Sequence, residues 1–236
     1  MKKDLMKTIQ SRGYWRINFQ PVVIATKLAS LGDCINVVEK SRVQLSGWDY
    51  PHFPRRRDAD SNVESGNNYY AGWIEWNNHI EFWRMYQSGQ FLHYIAFTED
   101  GGDSDGWGII ENSNTEPKKY FSIVGAIYKI TEIFEFASRL VRENLYDEGV
   151  KISISLHNTE NRILRMENSS RSLFDEYKTA INEMSFSNSY NKEDLITKPQ
   201  DLALKAIVYF FDRFNWHNPP IEVFKKDQDT LLNRRW

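Results

Sequence analysis

His52, His79 and His93 lie in a stretch dense with aromatic residues, and Glu75 and Glu81 share that stretch. A histidine and a carboxylate within hydrogen-bond reach can form an acid/base pair or begin a metal site. His79 shares a strand face with Glu81, Trp83 and Met85, whereas His93 shares one with Phe91, Ile95 and Phe97, so strand parity weighs mildly against their meeting. The plainer reading of each is a hydrogen-bonded core or rim histidine, and no catalytic residue is assigned. His157 and His217 sit beside turns. The one cysteine, Cys34, lies among Leu31, Ile35 and Val38 and reads as a small buried hydrophobe. Alone it can build neither an internal disulfide nor a thiolate metal site.

A second constellation is Trp48, Asp49, Tyr50 and His52, followed by Arg55, Arg56 and Arg57 and then by Tyr69, Tyr70, Trp73 and Trp76. Arginines hold phosphate and aromatic rings stack on bases, the combination that binders of single-stranded nucleic acid use. Against this, strand aromatics usually build a core, and three arginines followed by Asp58 and Asp60 usually form a solvated loop. Arg84 and Gln87, with Ser88-Gly89-Gln90, place polar groups at a hairpin end where backbone N–H groups can meet a ligand, although turn chemistry explains them equally well. The candidate ligand- or nucleic-acid-binding set is therefore Trp48, Asp49, His52, Arg55, Arg56, Arg57, Arg84 and Gln87.

Other chemistries fail on spacing. There is no Gly-x-x-x-x-Gly-Lys-Ser/Thr or Gly-x-Gly-x-x-Gly phosphate loop, and no HExxH, CxxC or Gly-x-Ser-x-Gly signature. The acidic stretch around Gly106 offers Asp103 and Asp105 as calcium ligands, but Gly101 and Asn112 stand where an EF-hand needs carboxylates. Asp147-Glu148-Gly149-Val150-Lys151 has the wrong spacing for a metal-dependent nuclease of the PD-(D/E)xK kind. No metal and no cofactor is expected, and the balance leans away from an enzyme.

These residues need a frame to position them. The 236 residues are 41% hydrophobic and 14% aromatic with a formal net charge of −2, enough apolar surface for a core and too little positive charge for a protein that coats nucleic acid along its whole surface. A local basic patch remains compatible with that balance. Period-two alternation predicts a strand over 14–24, with Trp15, Ile17 and Phe19 on one face. A short helix is expected over 26–40, a strand over 43–48 and a polar loop over 55–68. Residues 69–76, 79–86 and 91–98 read as a three-stranded antiparallel meander, with Asn77-Asn78 and Ser88-Gly89 at its turns. After an acidic loop over 99–117, a long helix is expected over 118–146, its stripe running through Ile123, Ile127, Ile130, Phe134, Ala137 and Val141. Residues 150–156 alternate again, with 162–166 expected to pair with them. A helix is read over 170–184, a polar segment over 185–197 and a buried helix over 202–214, stopped by Asn218-Pro219-Pro220.

The expected fold is α+β: an antiparallel sheet of about six strands with the long helix packed on one face and a helical C-terminal part. Residues 1–170 form the core domain, and 171–236 a mainly helical extension packed on the same core. No window reaches the roughly 18 apolar residues of a membrane span, and the start lacks the apolar run of about 7–15 residues of a signal peptide. A cytoplasmic protein is the expectation.

Gly47-Trp48-Asp49-Tyr50-Pro51-His52 and Trp83-Arg84-Met85-Tyr86-Gln87-Ser88-Gly89-Gln90-Phe91 resemble segments of a poorly characterised bacterial family, in which a similar region follows an Alba/Schlafen-type domain that binds nucleic acid or ATP. The likeness spans about residues 12–170. With the companion domain outside these residues, the resemblance implies a stand-alone sensor or adaptor of a bacterial stress or defence system. The expected function is a non-catalytic binding or interaction module with a protein partner. The alternative is a single-stranded nucleic-acid or nucleotide-binding protein that uses the 48–57 segment.

Overall fold

Strand alternation organises the first half of the chain. The computed structural model describes residues 4–54, 60–76, 78–101, 119–167 and 171–233. Strand β1 (Tyr14–Pro21) buries Trp15, Ile17 and Phe19 and turns Arg16, Asn18 and Gln20 outward. The meander is present as β3 (Tyr69–Trp76), β4 (His79–Tyr86) and β5 (Phe91–Ala96). Strand β7 (Val150–His157) pairs with β1, and Gly149, at φ +100°, makes the reversal before it. With β2 (Ser61–Ser65) and β9 (Glu183–Tyr190), these strands form one antiparallel sheet of seven, ordered β2-β3-β4-β5-β1-β7-β9.

One face of the sheet carries the main core. Helix α3 (Ile123–Arg142) lies on it and presents the predicted Ile127, Ile130, Phe134, Ala137 and Val141 among its buried residues. Ser122 caps the helix by accepting from the Gly125 N–H at 2.8 Å, and Asn144, in the left-handed region at φ 61°, follows its end. Helix α5 (Pro199–Asp212) packs beside α3 and adds Ile207, Phe210 and Phe211 to the same core. The opposite face is covered only in part. Helix α1 (Leu5–Gln10) seats Leu5 and Ile9 on Ala71, Trp73, Ile80, Phe82 and Ala96. Beyond it the face is polar.

Several sequence expectations are corrected. Residues 43–48 make no strand; a single bridge joins Val43 to Tyr50 around Gly47, whose φ of +88° closes the turn. The early helix, α2 (Leu31–Ser41), starts late because Ser30 and Asp33 form a reciprocal capping box. Within the expected 55–68 loop, β2 pairs with β3; residues 55–59 lie outside the described residues, as does the acidic segment from 102 to 118. The chain enters α3 through a short strand, β6 (Tyr120–Ser122). Strand β8 (Ile163–Arg165) pairs in parallel with β6 instead of with β7. No helix occupies the described part of 170–184, where Phe174 and Ile181 are exposed.

The expected polar segment 185–197 holds most of β9 and helix α4 (Lys192–Thr197). Strand β9 was hidden because its inward Met184, Phe186 and Tyr190 alternate with serines, which carry little strand signal. A last helix, α6 (Ile221–Leu232), follows Pro220 and packs Phe224 against Phe211 and Trp216. Its Asp227 accepts from Arg171 at 2.7 Å.

Gly72 on β3 stands opposite Trp83 on β4, and a Cβ there would meet the Trp83 indole at 2.6 Å. Gly72→Val is therefore expected to lower stability by about 2 kcal/mol through overpacking. The check is a urea titration, in which the midpoint should fall with the slope unchanged.

Candidate functional site

Antiparallel pairing of β4 with β5 sets Trp83 opposite His93 and Glu81 opposite Ile95. Directly paired residues point to one face, so Glu81, Trp83 and His93 all face the core beneath α3. The parity objection thus fails once the register is known. Glu81 Oε2 lies 2.6 Å from His93 Nε2, and the Trp48 indole N–H donates to Glu81 Oε1 at 3.0 Å. His52 and His79 stack on the Trp48 ring with centroids 4.4 and 4.2 Å away, and Trp76 stacks on it at 5.9 Å. The three histidines therefore gather around one carboxylate through one indole.

The loop that delivers Trp48 is held along its length. Val43 and Tyr50 exchange backbone hydrogen bonds of 2.7 and 2.8 Å. Asp49 accepts from Arg42 Nη1 and from Gln44 Nε2, each at 2.8 Å. The Trp83 indole donates to the His52 carbonyl at 2.7 Å. Tyr50, fully buried, sits with its ring 5.2 Å from that of His93 and 5.7 Å from that of Phe136 on α3. From the same helix, Lys129 Nζ lies 5.2 Å over the Tyr50 ring and 3.3 Å from Glu132.

The electrostatics follow from this packing. Burial alone would raise the Glu81 carboxyl, but the hydrogen bond from His93 and the nearby charge of Lys129 hold it well below the usual carboxylate range. Burial depresses His93 despite its bond to Glu81, so its imidazole stays neutral with Nε2 donating. The Tyr50 hydroxyl is pushed up by burial and by Glu81 and Glu132. Tyr50 Oη, His93 Nδ1 and Glu132 Oε1 are buried without a hydrogen-bond partner among the described residues.

A neutral imidazole on an ionised carboxylate has the composition of an acid/base pair. Here His93 is wholly buried and Glu81 is 4% exposed. The pair joins β4 and β5 to the Trp48 loop, and His93 is a hydrogen-bonded core histidine. Among the described residues no group of three or more His, Cys, Asp or Glu is arranged to hold a metal ion. Cys34 is buried in α2, its thiol pushed up to about 11 by burial and by Asp33.

The candidate binding set divides. Trp48, Asp49 and His52 come together at the loop, each with contacts inside the protein. Arg55, Arg56 and Arg57 lie outside the described residues. Arg84 is on the opposite face of the sheet, its guanidinium 3.9 Å from the Tyr69 ring centroid and 3.2 Å from the Tyr86 hydroxyl. Gln87 clips the chain segment before α2, its amide donating to the Leu28 and Ala29 carbonyls at 3.2 Å each. Lys129 and Glu132 were missed as members of this cluster. The available signal was a carboxylate one residue from Ile133 on a helix whose stripe is that wide. Compared with models of protein families, with curated proteins and with solved structures, the chain matches none.

Both downward shifts stabilise the fold at neutral pH: His93 by staying neutral above its ordinary 6.5, Glu81 by staying ionised above its ordinary 4.5. As pH falls below 6.5 the share of His93 is lost first, and that of Glu81 follows below 4.5. Glu81→Gln is expected to cost about 2 kcal/mol at neutral pH, since it weakens charged hydrogen bonds in the interior. It should also flatten the acid limb of a stability–pH profile measured by urea titration.

Proposed function

We propose that this chain is a non-catalytic binding module, an adaptor that works through a protein partner. The observation that carries this reading is Val22-Val23-Ile24, three consecutive aliphatic residues directly after β1 that remain exposed, Ile24 at 77%. Covering such a run releases about 25 cal/mol for each Å² of apolar surface removed from water. The run is presented by anchored backbone. The Val22 N–H donates to the Gly149 carbonyl at 3.2 Å, and the Lys27 and Leu28 N–H groups donate to the Gln87 carbonyl at 2.8 and 2.9 Å. The histidine–carboxylate pair, by contrast, is sealed within the core.

The resemblance of segments 47–52 and 83–91 to the bacterial family supplies the setting, a cytoplasmic stress or defence system. Among the described residues no helix is long and apolar enough to cross a membrane. A second reading, a single-stranded nucleic acid or nucleotide on the 48–57 segment, is favoured by Trp76, which is 54% exposed and stacked on Trp48.

Val22→Asp combined with Ile24→Asp tests the first reading. Both side chains are exposed, so the melting temperature should stay close to that of the parent chain. Affinity capture from bacterial cytoplasm, quantified by mass spectrometry, should then lose a protein that the parent chain retains. Identical captured sets would remove the reading.

A further inference from the structure

The face of the sheet opposite α3 has a second composition. Register places its outward residues in rows. One row runs from Arg84 on β4 through Leu92 and Asn18 to Ser153 and Ser187. The next runs from Phe82 through Tyr94 and Arg16 to Ser155 and Ser185. A depression of about 340 Å³ is lined there by these serines together with Arg16, Asn18, Lys151 and Glu183. The hydroxyls pair across β7 and β9, Ser153 with Ser187 at 2.8 Å and Ser155 with Ser185 at 3.0 Å. Each pair keeps lone pairs for a ligand. Short side chains make the floor low, so the long cations around it stand proud.

Around the depression the charge differs from that of the whole chain. Arg16 and Lys151 line the depression together with Glu183, whose carboxylate is 3.5 Å from His157 Nδ1. Arg84 lies two strands away on the same face, in a row that begins with Glu64 on β2. Neither Arg16 nor Lys151 is paired with a carboxylate among the described residues. At the depression two cations stand against one carboxylate, on a protein of formal net charge −2. Flat groups lie on the same face: Tyr94 is half-buried next to Arg16, Tyr14 stacks on His157 at 4.4 Å, and farther across the sheet Arg84 lies on Tyr69. The spacing between β4 and β7, three strands at about 4.8 Å each, is about 14 Å, a span that a few nucleotides cross.

We propose that this outer sheet face is a binding site for single-stranded nucleic acid, with Arg16, Arg84 and Lys151 meeting phosphates and the tyrosines offering stacking surfaces. Cations interleaved with π-faces over an open antiparallel sheet match the two demands of a single strand, backbone charge and unstacked bases. A duplex hides those bases and is read by an element that enters a groove, which a flat face does not supply. The site is distinct from the Val22–Ile24 run and from the 48–57 segment, so it goes beyond the protein-partner reading and does not depend on it.

The test is fluorescence anisotropy with labelled poly-U RNA and poly-dT DNA of about 12 nucleotides. Three phosphate contacts on a single strand give a slope near −2, so affinity should fall about 20-fold between roughly 50 and 200 mM salt. Arg16→Ser with Lys151→Ser should weaken binding and reduce that loss to about threefold, with an unchanged melting temperature as the control for folding. Joint replacement of Arg55, Arg56 and Arg57 by Ala should leave binding in place. Binding lost in the triple-arginine variant and kept in the Arg16/Lys151 variant would overturn this site and favour the 48–57 segment. No binding at the lower salt would overturn the ligand class. Either failure leaves the capture experiment on Val22 and Ile24 to stand or fall separately.

Discussion

The Glu81 carboxylate is buried, and a buried negative charge must be paid for by donors. His93 Nε2 and the Trp48 indole supply them from a neighbouring strand and from a distant loop. Much of the local architecture follows from that requirement. The β4–β5 register must place His93 within reach, and the 43–53 loop must return to the sheet to bring Trp48. Asp49, bound by Arg42 and Gln44, and Trp83, bound to the His52 carbonyl, keep that return fixed. Removing one donor would leave the charge in a low-dielectric interior with its remaining partners strained to compensate.

The sheet then divides the molecule by polarity. Its α3 side is closed by aromatic and aliphatic contacts, with Phe91, Phe136 and Phe19 within 4.9 to 6.1 Å of one another. Its outer side is dry only under α1 and polar elsewhere. A sheet with one solvated face can carry short polar residues without loss of stability, which explains the serine rows of β7 and β9. The surfaces proposed to bind a partner or a nucleic acid are the aliphatic run after β1 and the cations of the outer face. Both proposed surfaces are carried by the same seven-stranded sheet.

The polar groups with the most chemical potential are used for positioning. Among the described residues Tyr50, His93 and Glu132 each keep a polar atom unpartnered in the core, and Lys129, on the same helix as Glu132, lies over the Tyr50 ring. Their composition resembles a catalytic cluster, yet burial holds the imidazole neutral and the phenol protonated. Access as well as composition decides whether a titratable group can act on a ligand.

Alternation by itself determined β1, the meander and β7, because a half-buried strand writes its period of two directly into the order of Trp15, Ile17 and Phe19. The wide stripe from Ile123 to Val141 likewise determined α3 and its sheet-covering role. Glu81 and the three histidines were legible as residues capable of chemistry, and the fold class was legible as α+β. Strand β9 and the β6–β8 pair were not legible, since serines on a solvated face and three-residue strands carry almost no periodic signal. The meeting of His93 with Glu81 belonged to the tertiary structure alone. Face assignment within one strand is local, but which faces coincide across strands depends on register, which the hairpin and the packed core set together. The same holds for Arg84, which a linear reading groups with Trp48 and His52 and which the pleat of β4 sends to the other side of the sheet.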